Sequence, residues 1–387
     1  MTLTQLVNER PVTGSPPERF TSRDPADFPE PGRHDEAWRF TPLRAVRPLF
    51  EVFEPSTRIT GAVEAPDGVT WAIVPRADER VGRVLQPADR VSALAFAHAP
   101  QTFVLQIPAD REFDEPVLVH ASVNAGQAYE HMVIEAGANS RATVVVDYSG
   151  GALIAENVEI IVGDGARLEY VSVQDWNADA VHLSAHALQL GRDAQLKHMV
   201  VNLGGAVVRI CPTVRFAGPG GSAECFGVCF AGNAQHLESR LYVEHSAAQC
   251  RSDVLYKNAL LGESARTVWI GDVRIRPQAI GTSTYEMNRN LLLSDGARAD
   301  SVPNLEIETG DIAGAGHASA TGRFDDLQLF YLQSRGIPAD EAQRLVVRGF
   351  FADVVDRIGV PTLQRNIMSA IEARLGFAPL EAELESA

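Results

Sequence analysis

The chain has 387 residues, 45% of them hydrophobic, so it can bury a sizeable core, and its length suggests two or three domains. Its 34 Lys and Arg against 50 Asp and Glu give a formal charge of −16, which disfavours nucleic-acid binding and otherwise indicates a soluble surface. No apolar run reaches about 18 residues, and the amino terminus lacks a basic start followed by an apolar stretch. We therefore expect a cytoplasmic protein without a transmembrane helix or secretory signal.

The first hundred residues have a weak pattern. Residues 1 to about 35 are rich in Pro, Arg, Asp and Glu, which predicts a loosely ordered leader. A short aromatic cluster follows, containing Trp38, Phe40 and Pro42. Residues 50–100 are mixed in character. We assign residues 1–100 to an N-terminal leader and a mixed α/β region.

From residue 101 short β-branched runs recur, each opened by a turn of small residues. Equivalent points of successive runs lie 26, 28 and 28 residues apart in one series and 32 apart in a later pair: Arg141, Arg167, Gln195 and Ala223, then Arg266 and Arg298. A second run lies between successive turns. Two strands per repeat predict a mainly β protein with a flattened parallel β-solenoid over residues 101–321. A β-sandwich or barrel is the alternative, but the long period and scarcity of Asn-Gly hairpin turns favour the solenoid.

The cysteines and a histidine pair are the first candidates for metal binding. Cys225 and Cys229 lie in a segment typical of a strand, where four residues span roughly 13 Å, too far for one metal ion unless the chain bulges at Gly227. The same distance argument counts against His182 and His186 as a ligand pair. We expect the four cysteines of the chain to be buried, inert thiols, since they are too few for a disulfide framework.

After the solenoid the apolar period becomes helical. Gly336 ends a first predicted helix, Pro338 begins a second, and a last amphipathic segment follows Pro361. One face of the second helix is apolar, with Val347, Phe350, Phe351, Val354 and Ile358. We assign residues 322–387 to a C-terminal helical domain that caps the open strand edges of the solenoid, docks a partner, or does both.

The segment from Tyr256 to Phe351 carries the most specific motifs. It contains LYKNALLGESARTVWIGDVRI, YEMNRNLLLSDGARADSVPNLEI and GHASATGRFDDLQLFYLQSRGI, followed by a Gly-Phe-Phe segment. In this order the motifs closely resemble the C-terminal half of the SufB/SufD family of the SUF iron–sulfur cluster assembly system. The N-terminal EAWRFTPL is similar to the SufD branch, and Arg289 and Asn290 stand near the point where SufB chains have a functional cysteine. The resemblance to the SufD branch implies a right-handed parallel β-helix flanked by helical regions.

The resemblance also implies a site. Many members of the SufD branch have a cysteine two residues before the histidine of a turn, but here the matching position is Ala315 and only His317 is retained. Thiolate ligation from this position is excluded. His317 is the implied ligand of iron or of a transient iron–sulfur cluster held together with cysteine and glutamate ligands of SufB. Taken alone, a histidine among Gly and Ala is more often structural.

Partners follow from the same resemblance. The chain would form a heterodimer with SufB and dock SufC, an ABC-type ATPase, through Phe350, Phe351 and Val354. No GxxxxGK[ST] P-loop is present, so the chain would be a non-catalytic scaffold and ATP hydrolysis would reside in SufC. The isolated chain would hold no stable cofactor, and a homodimer in the absence of SufB is left open. The resemblance also allows a reduced flavin on the complex, although no motif in the sequence indicates one.

An enzyme that acts on acidic polysaccharides is the alternative, because many parallel β-helices cleave such polymers. Asp325 and Asp326 would be its candidate carboxylate pair. They begin a predicted helix, where acidic residues favour the helix dipole, which is a sufficient explanation for them. A structural protein without a metal role is a third hypothesis.

Overall fold

The computed structural model describes residues 18–32, 34–324 and 326–377, with no side-chain description for residues 326–328. Most of the predicted leader lies outside these residues. The described chain forms two nine-stranded sheets that face each other. The mainly β solenoid predicted from the repeats is thereby confirmed, and the sandwich or barrel alternative is wrong, because strands of each sheet pair in parallel with the coil before and the coil after.

One sheet, the front sheet, contains β1 (Thr60–Glu64), β4 (Val117–Val123), β6 (Arg141–Gly150), β8 (Arg167–Trp176), β10 (Gln195–Asn202), β12 (Ser222–Ala231), β14 (Arg251–Leu260), β16 (Thr282–Leu292) and β18 (Ile312–Arg323), in this spatial order. The other sheet, the back sheet, contains β2 (Thr70–Pro75), β3 (Gln101–Ile107), β5 (Gln127–Ala136), β7 (Leu153–Val162), β9 (Val181–Leu190), β11 (Val207–Phe216), β13 (His236–His245), β15 (Arg266–Ile275) and β17 (Arg298–Ile307). The α-helices of the described chain are α1 (Leu43–Val46), α2 (Arg90–His98), α3 (Asp326–Ser334), α4 (Ala339–Val355) and α5 (Pro361–Arg374).

Small residues at the turns let the chain pass from one sheet to the other. Asn139 and Gly165 have φ angles of 55° and 67°, in the left-handed region that Gly and Asn tolerate best. The repeat point predicted at Ala223 is wrong by one residue, because Gln195 pairs in register with Ser222. The shift matters since neighbouring strand residues face opposite sides of the sheet.

Both outer faces of the solenoid are covered, which explains why its strands are apolar on both sides. The front sheet packs against α4 and α5 through a cluster that includes Met199, Phe226 and Val354. The back sheet packs against α2 and the N-terminal region, including Trp38 and Phe50. The helices begin near the predicted prolines, with Pro338 before α4, and Gly336 follows α3 at a φ of 86°. The second helix ends at Val355, so Ile358, predicted on its apolar face, lies in the turn after it.

The two ends of the solenoid differ. At the N-terminal end β1 and β2 pair antiparallel with β4 and β3. At the C-terminal end, β17 and β18 each pair with a single strand, and most of their side chains are exposed or only partly buried. No helix of the described chain is both long and apolar enough to cross a membrane.

Candidate functional site

The open end made by β17 and β18 presents His317 to solvent. Because strand side chains alternate between the two faces, in-register residues of successive front-sheet strands form inward-facing columns. His317 pairs with Glu286, Glu286 with Val254, and Val254 with Cys225. The three earlier members are buried. His317 is therefore the last residue of a buried column, and no further coil covers it within the described residues.

Ala315 lies next to His317 in the inward-facing row of β18. It pairs with Thr284 and is partly buried against the solenoid interior. The sequence predicted a turn here, but the structure places both residues inside a continuous strand, paired with β16. Ala315 thus faces the same interior as the histidine and offers it only a methyl group.

A set of hydrogen bonds fixes the inner faces of the strands beside His317. The Asn290 amide nitrogen lies 2.9 Å from Asn288 Oδ1 and 3.0 Å from both Ser301 Oγ and Thr321 Oγ1. Ser301 Oγ donates to Asn288 Oδ1 at 2.6 Å, and Asn258 donates to Asn290 Oδ1 at 2.8 Å. The two asparagines of the N-R-N run therefore face inward and join four neighbouring strands. Such a network holds the end of the solenoid in one conformation.

Glu286 is a candidate residue that reasoning from the sequence missed. Its side chain is buried, with 1% of the residue exposed, and neither carboxyl oxygen has a hydrogen-bond partner among the described residues. Oε1 faces Gly271 of the back sheet, where an added Cβ would lie 2.8 Å away. Burial raises the pKa of the Glu286 carboxyl to about 8, and the charge of Asp272 adds to the rise. An unpartnered buried carboxyl is unfavourable, so its presence needs an explanation.

A signal for Glu286 exists in the sequence. The inward positions of β16 are Thr282, Thr284, Glu286, Asn288 and Asn290. An ordinary half-buried strand has apolar residues on its buried side and polar residues on its exposed side, whereas β16 has polar residues on its buried side. The repeat register, extended by one coil, would have shown that this polar row faces inward.

The cysteine pair is buried, as predicted. Cys225 and Cys229 are free, buried and inward-facing, and burial raises the pKa of both thiols, so they stay protonated. β12 keeps continuous register with β14, so no bulge brings the thiols together. Gly227 instead makes room for the Tyr256 ring, since a Cβ there would lie 2.0 Å from Tyr256 Cδ1. The other two cysteines, Cys211 and Cys250, are also free and buried.

His182 and His186 belong to a polar cluster inside the solenoid. His182 lies 2.8 Å from Gln174 Oε1 and 3.1 Å from Glu156 Oε2. His186 Nδ1 lies 2.9 Å from His198 Nε2. Burial lowers the pKa of His186 well below its usual range and that of His198 to about 3, so both imidazoles are neutral. In the part of the chain that the structure describes, no group of three or more His, Cys, Asp or Glu side chains could hold a metal ion.

The three residues predicted to contact SufC lie on α4. Phe351 and Val354 are fully buried against the outer face of the front sheet, and Phe350 is partly buried. Lys257 of β14 donates to the Phe350 carbonyl oxygen at 2.7 Å and lies 5.0 Å from its ring centroid. Phe351 and Val354 thus pack within the chain itself, and their contact with SufC stays a prediction. Exposed apolar side chains of the helical region are Phe330, Tyr331 and Leu345.

A second carboxyl lies at the opposite end of the solenoid. A cleft of about 430 Å³ there is lined by Trp71, Phe103, Glu130 and Met132, among others. Burial raises the pKa of Glu130 to about 8, although its Oε1 accepts a hydrogen bond from the Ile59 amide at 2.6 Å. Glu130 therefore resembles Glu286 in its raised pKa, but its carboxyl has a hydrogen-bond partner.

Fold and site together define a parallel β-solenoid protein with a candidate metal ligand at its open end. The model of the SUF system FeS cluster assembly SufBD core domain matches residues 119–350, a range that includes most of the solenoid and His317. The chain belongs to the SufBD family.

Individual relatives agree with this assignment. An iron–sulfur cluster assembly SufBD family protein of Mycobacterium bovis is 50% identical over 370 residues, which cover 92% of each chain. A SufBD family protein of Mycobacterium leprae is 48% identical over 365 residues, or 92% of this chain and 93% of the relative. The iron–sulfur cluster assembly protein SufD of Bacillus subtilis is 28% identical over 293 residues, or 74% of this chain and 65% of SufD. The SufD-like resemblance predicted from the sequence is confirmed.

The polysaccharide-enzyme alternative gains no support from these relatives, which are named for iron–sulfur cluster assembly. Its proposed carboxylate pair gains none from the structure. Asp325 and the side chain of Asp326 lie outside the described residues.

Proposed function

We propose that this chain is a non-catalytic scaffold subunit for iron–sulfur cluster assembly that pairs with SufB and docks the ATPase SufC. His317 is a ligand of iron, or of a transient cluster shared with SufB, at the interface of the two subunits. The observation that carries the proposal is the position of His317, an exposed imidazole that ends a buried column at the open end of a SufBD-family solenoid.

The ligand chemistry supports a site divided between two subunits. Cluster irons are held mostly by thiolates, with imidazole as an occasional substitute. Ala315 supplies no thiolate, and the cysteines of the chain are buried. The thiolate ligands therefore come from SufB. A site with one imidazole on this side binds a cluster moderately, which suits a scaffold that must release its product.

The end strands support pairing with SufB at the same place. Within the described residues, β17 and β18 each have a hydrogen-bonded neighbour on one side alone, so their outer edges carry unpaired backbone groups. Tyr285 and Ile307, 44% and 46% exposed, add apolar surface near this end. A partner that covers the edges satisfies the backbone groups and buries the apolar side chains.

The helical region supports docking of SufC. Phe330 and Tyr331 of α3 are 68% and 57% exposed, which is unusual for large apolar side chains that lie close together. Phe350 is partly buried and stays a candidate contact, while Phe351 and Val354 are buried where they hold α4 on the front sheet. We therefore place the docking surface on the exposed side of α3 and α4.

Replacement of His317 tests the metal role. The chain, SufB and SufC of the same organism are co-expressed, with His317→Ala in this chain. We expect unchanged subunit stoichiometry by gel filtration and a loss of about tenfold or more in anaerobic cluster formation, followed by absorbance. His317→Cys, which supplies another iron ligand, should restore part of the cluster formation. His120→Ala, at a half-exposed histidine far from the open end, is the control.

Two outcomes would contradict the proposal. Failure of the wild-type chain to co-purify with SufB and SufC rules out the pairing. A His317→Ala complex that builds clusters at the wild-type rate rules out the ligand role. The cytoplasmic location and the lack of a stable cofactor on the isolated chain remain predictions, and a reduced flavin on the complex and a homodimer without SufB stay open.

A further inference from the structure

Glu286 precedes His317 by one coil in the same inward-facing column. Glu286 and His317 are in-register neighbours on adjacent parallel strands, whose backbones are about 4.8 Å apart. Both positions face the interior column at the open end, so their side chains project in the same direction. A carboxylate and an imidazole that start this close together can reach one ion, since each ligand atom lies about 2.1 Å from a first-row divalent metal.

Glu286 is buried without a partner for its carboxyl group among the residues that the structure describes. Both of its oxygens lack hydrogen bonds within the described residues, although the side chain is buried. Other buried carboxylates of this chain are satisfied: Glu156 accepts hydrogen bonds from Tyr148 and Ser184, and Glu238 contacts Arg209. Carboxylates that are buried without a partner are rare unless they bind a metal or serve chemistry.

The residues around Glu286 make no hydrogen bond to its carboxyl within the part of the chain that the structure describes. Gly271 of the back sheet lies against its Oε1 and against the ring of Trp269, whose Nε1 is also buried without a hydrogen-bond partner among the described residues. Tyr256, whose hydroxyl also lacks a hydrogen-bond partner there, is another inward-facing residue of the front sheet. The network of Asn288 and Asn290 uses neither oxygen. The carboxyl is therefore available for a ligand at the open end.

We propose that Glu286 and His317 form a two-ligand site for a divalent first-row metal ion, Fe²⁺ in the cell. Carboxylate and imidazole are the ligands such ions accept when thiolates are absent. The inference rests on the proposed role of His317 and adds a ligand from this chain to it. It makes the open end a receptor for a single ferrous ion before the partner subunit supplies the remaining ligands.

Titration of the full-length protein with Co²⁺, a spectroscopic stand-in for Fe²⁺, tests the pair under anaerobic conditions. We expect one weakly bound equivalent on the wild-type chain. Glu286→Gln and His317→Ala each weaken binding about tenfold or more. The double variant should bind Co²⁺ no more weakly than the weaker-binding single variant, because both substitutions destroy the same site. Glu130→Gln, the same change at the other raised-pKa carboxyl, leaves binding unchanged.

The outcomes separate this inference from the proposed function. Wild-type affinity in Glu286→Gln, together with lost affinity in His317→Ala, overturns the glutamate ligand and leaves the histidine in place. Absence of saturable binding by the wild-type chain overturns the two-ligand site, while cluster assembly by the complex still tests His317. Thermal melting shows that each variant is folded, and Glu286→Met repeats the test if the glutamine variant unfolds.

Discussion

Lys257 of β14 and Asp353 of α4 form an ion pair, with 2.5 Å between Nζ and Oδ1, that joins the solenoid to the helical layer. The lysine side chain is 5% exposed and the aspartate side chain 55%. The same ammonium group also donates to the Phe350 carbonyl oxygen. The buried ammonium group of Lys257 thus binds α4 at two residues, Phe350 and Asp353.

Lys257→Met should therefore weaken the attachment of α4. We expect the free energy of unfolding to fall by about 1–3 kcal/mol, because two charge-assisted hydrogen bonds are lost while the apolar stem is kept. Asp353→Asn should change it by less than about 1 kcal/mol, since that carboxylate is half exposed and the carbonyl contact remains. Urea denaturation of both variants measures the difference. Equal effects would mean that the ion pair alone matters.

Val354 and Phe330 should separate folding from docking. Val354 is fully buried and Phe330 is 68% exposed. Val354→Asp should lower the free energy of unfolding by about 3 kcal/mol or more, because it buries an unpaired charge. Phe330→Asp should leave the melting temperature almost unchanged and weaken binding to SufC, measured by titration calorimetry. A stable Val354→Asp protein that fails to bind SufC would instead make Val354 a direct contact.

The buried histidines should make the protein less stable in mild acid. Below about pH 6.5 the unfolded chain binds a proton at His198, whereas burial lowers the pKa of the folded imidazole to about 3. The unfolded state therefore binds more protons in this window, and stability falls as the pH drops, by about 1.4 kcal/mol per pH unit for this residue. His198→Gln should reduce the slope of unfolding free energy against pH by about this amount, between about pH 4.5 and 6. An unchanged slope would show that His198 is solvated in the folded protein.

Replacement of Glu286 by an apolar side chain should stabilise the protein. Glu286→Met removes a buried carboxyl without partners, so we expect the free energy of unfolding at neutral pH to rise by about 1–3 kcal/mol. Glu156→Met is the matched control and should destabilise, because Tyr148, His182 and Ser184 contact that carboxylate. Thermal melting without added metal measures both. A loss of stability in Glu286→Met would show that the carboxyl has a structural partner.

The repeat period was enough to predict the solenoid because each coil uses nearly the same number of residues. It placed Arg141 and Arg167 in register correctly. It could not fix the register at Ser222, because the small residues Gly220 and Gly221 precede it and sterics there do not select one starting point for β12. The pairing of Gln195 with Ser222 is decided by the neighbouring strands.

The site was predicted only in part. Resemblance to the family identified His317 and Ala315, but it says nothing of Glu286. That residue stands out only in the structure, because it pairs in register with His317 and its carboxyl oxygens have no hydrogen-bond partner among the described residues. The apolar face of α4 was recognised, yet periodicity does not tell whether such a face covers the chain's own sheet or a partner. The packing of Phe351 on the front sheet answers that question through three-dimensional contacts.

The open end also sets where the solenoid is least protected. In a stack of coils, each strand is stabilised by the neighbours on both sides, and the last coil has a neighbour on one side only. Amide hydrogens of β17 and β18 should therefore exchange with solvent faster than those of β10 or β11, in a gradient that rises toward His317.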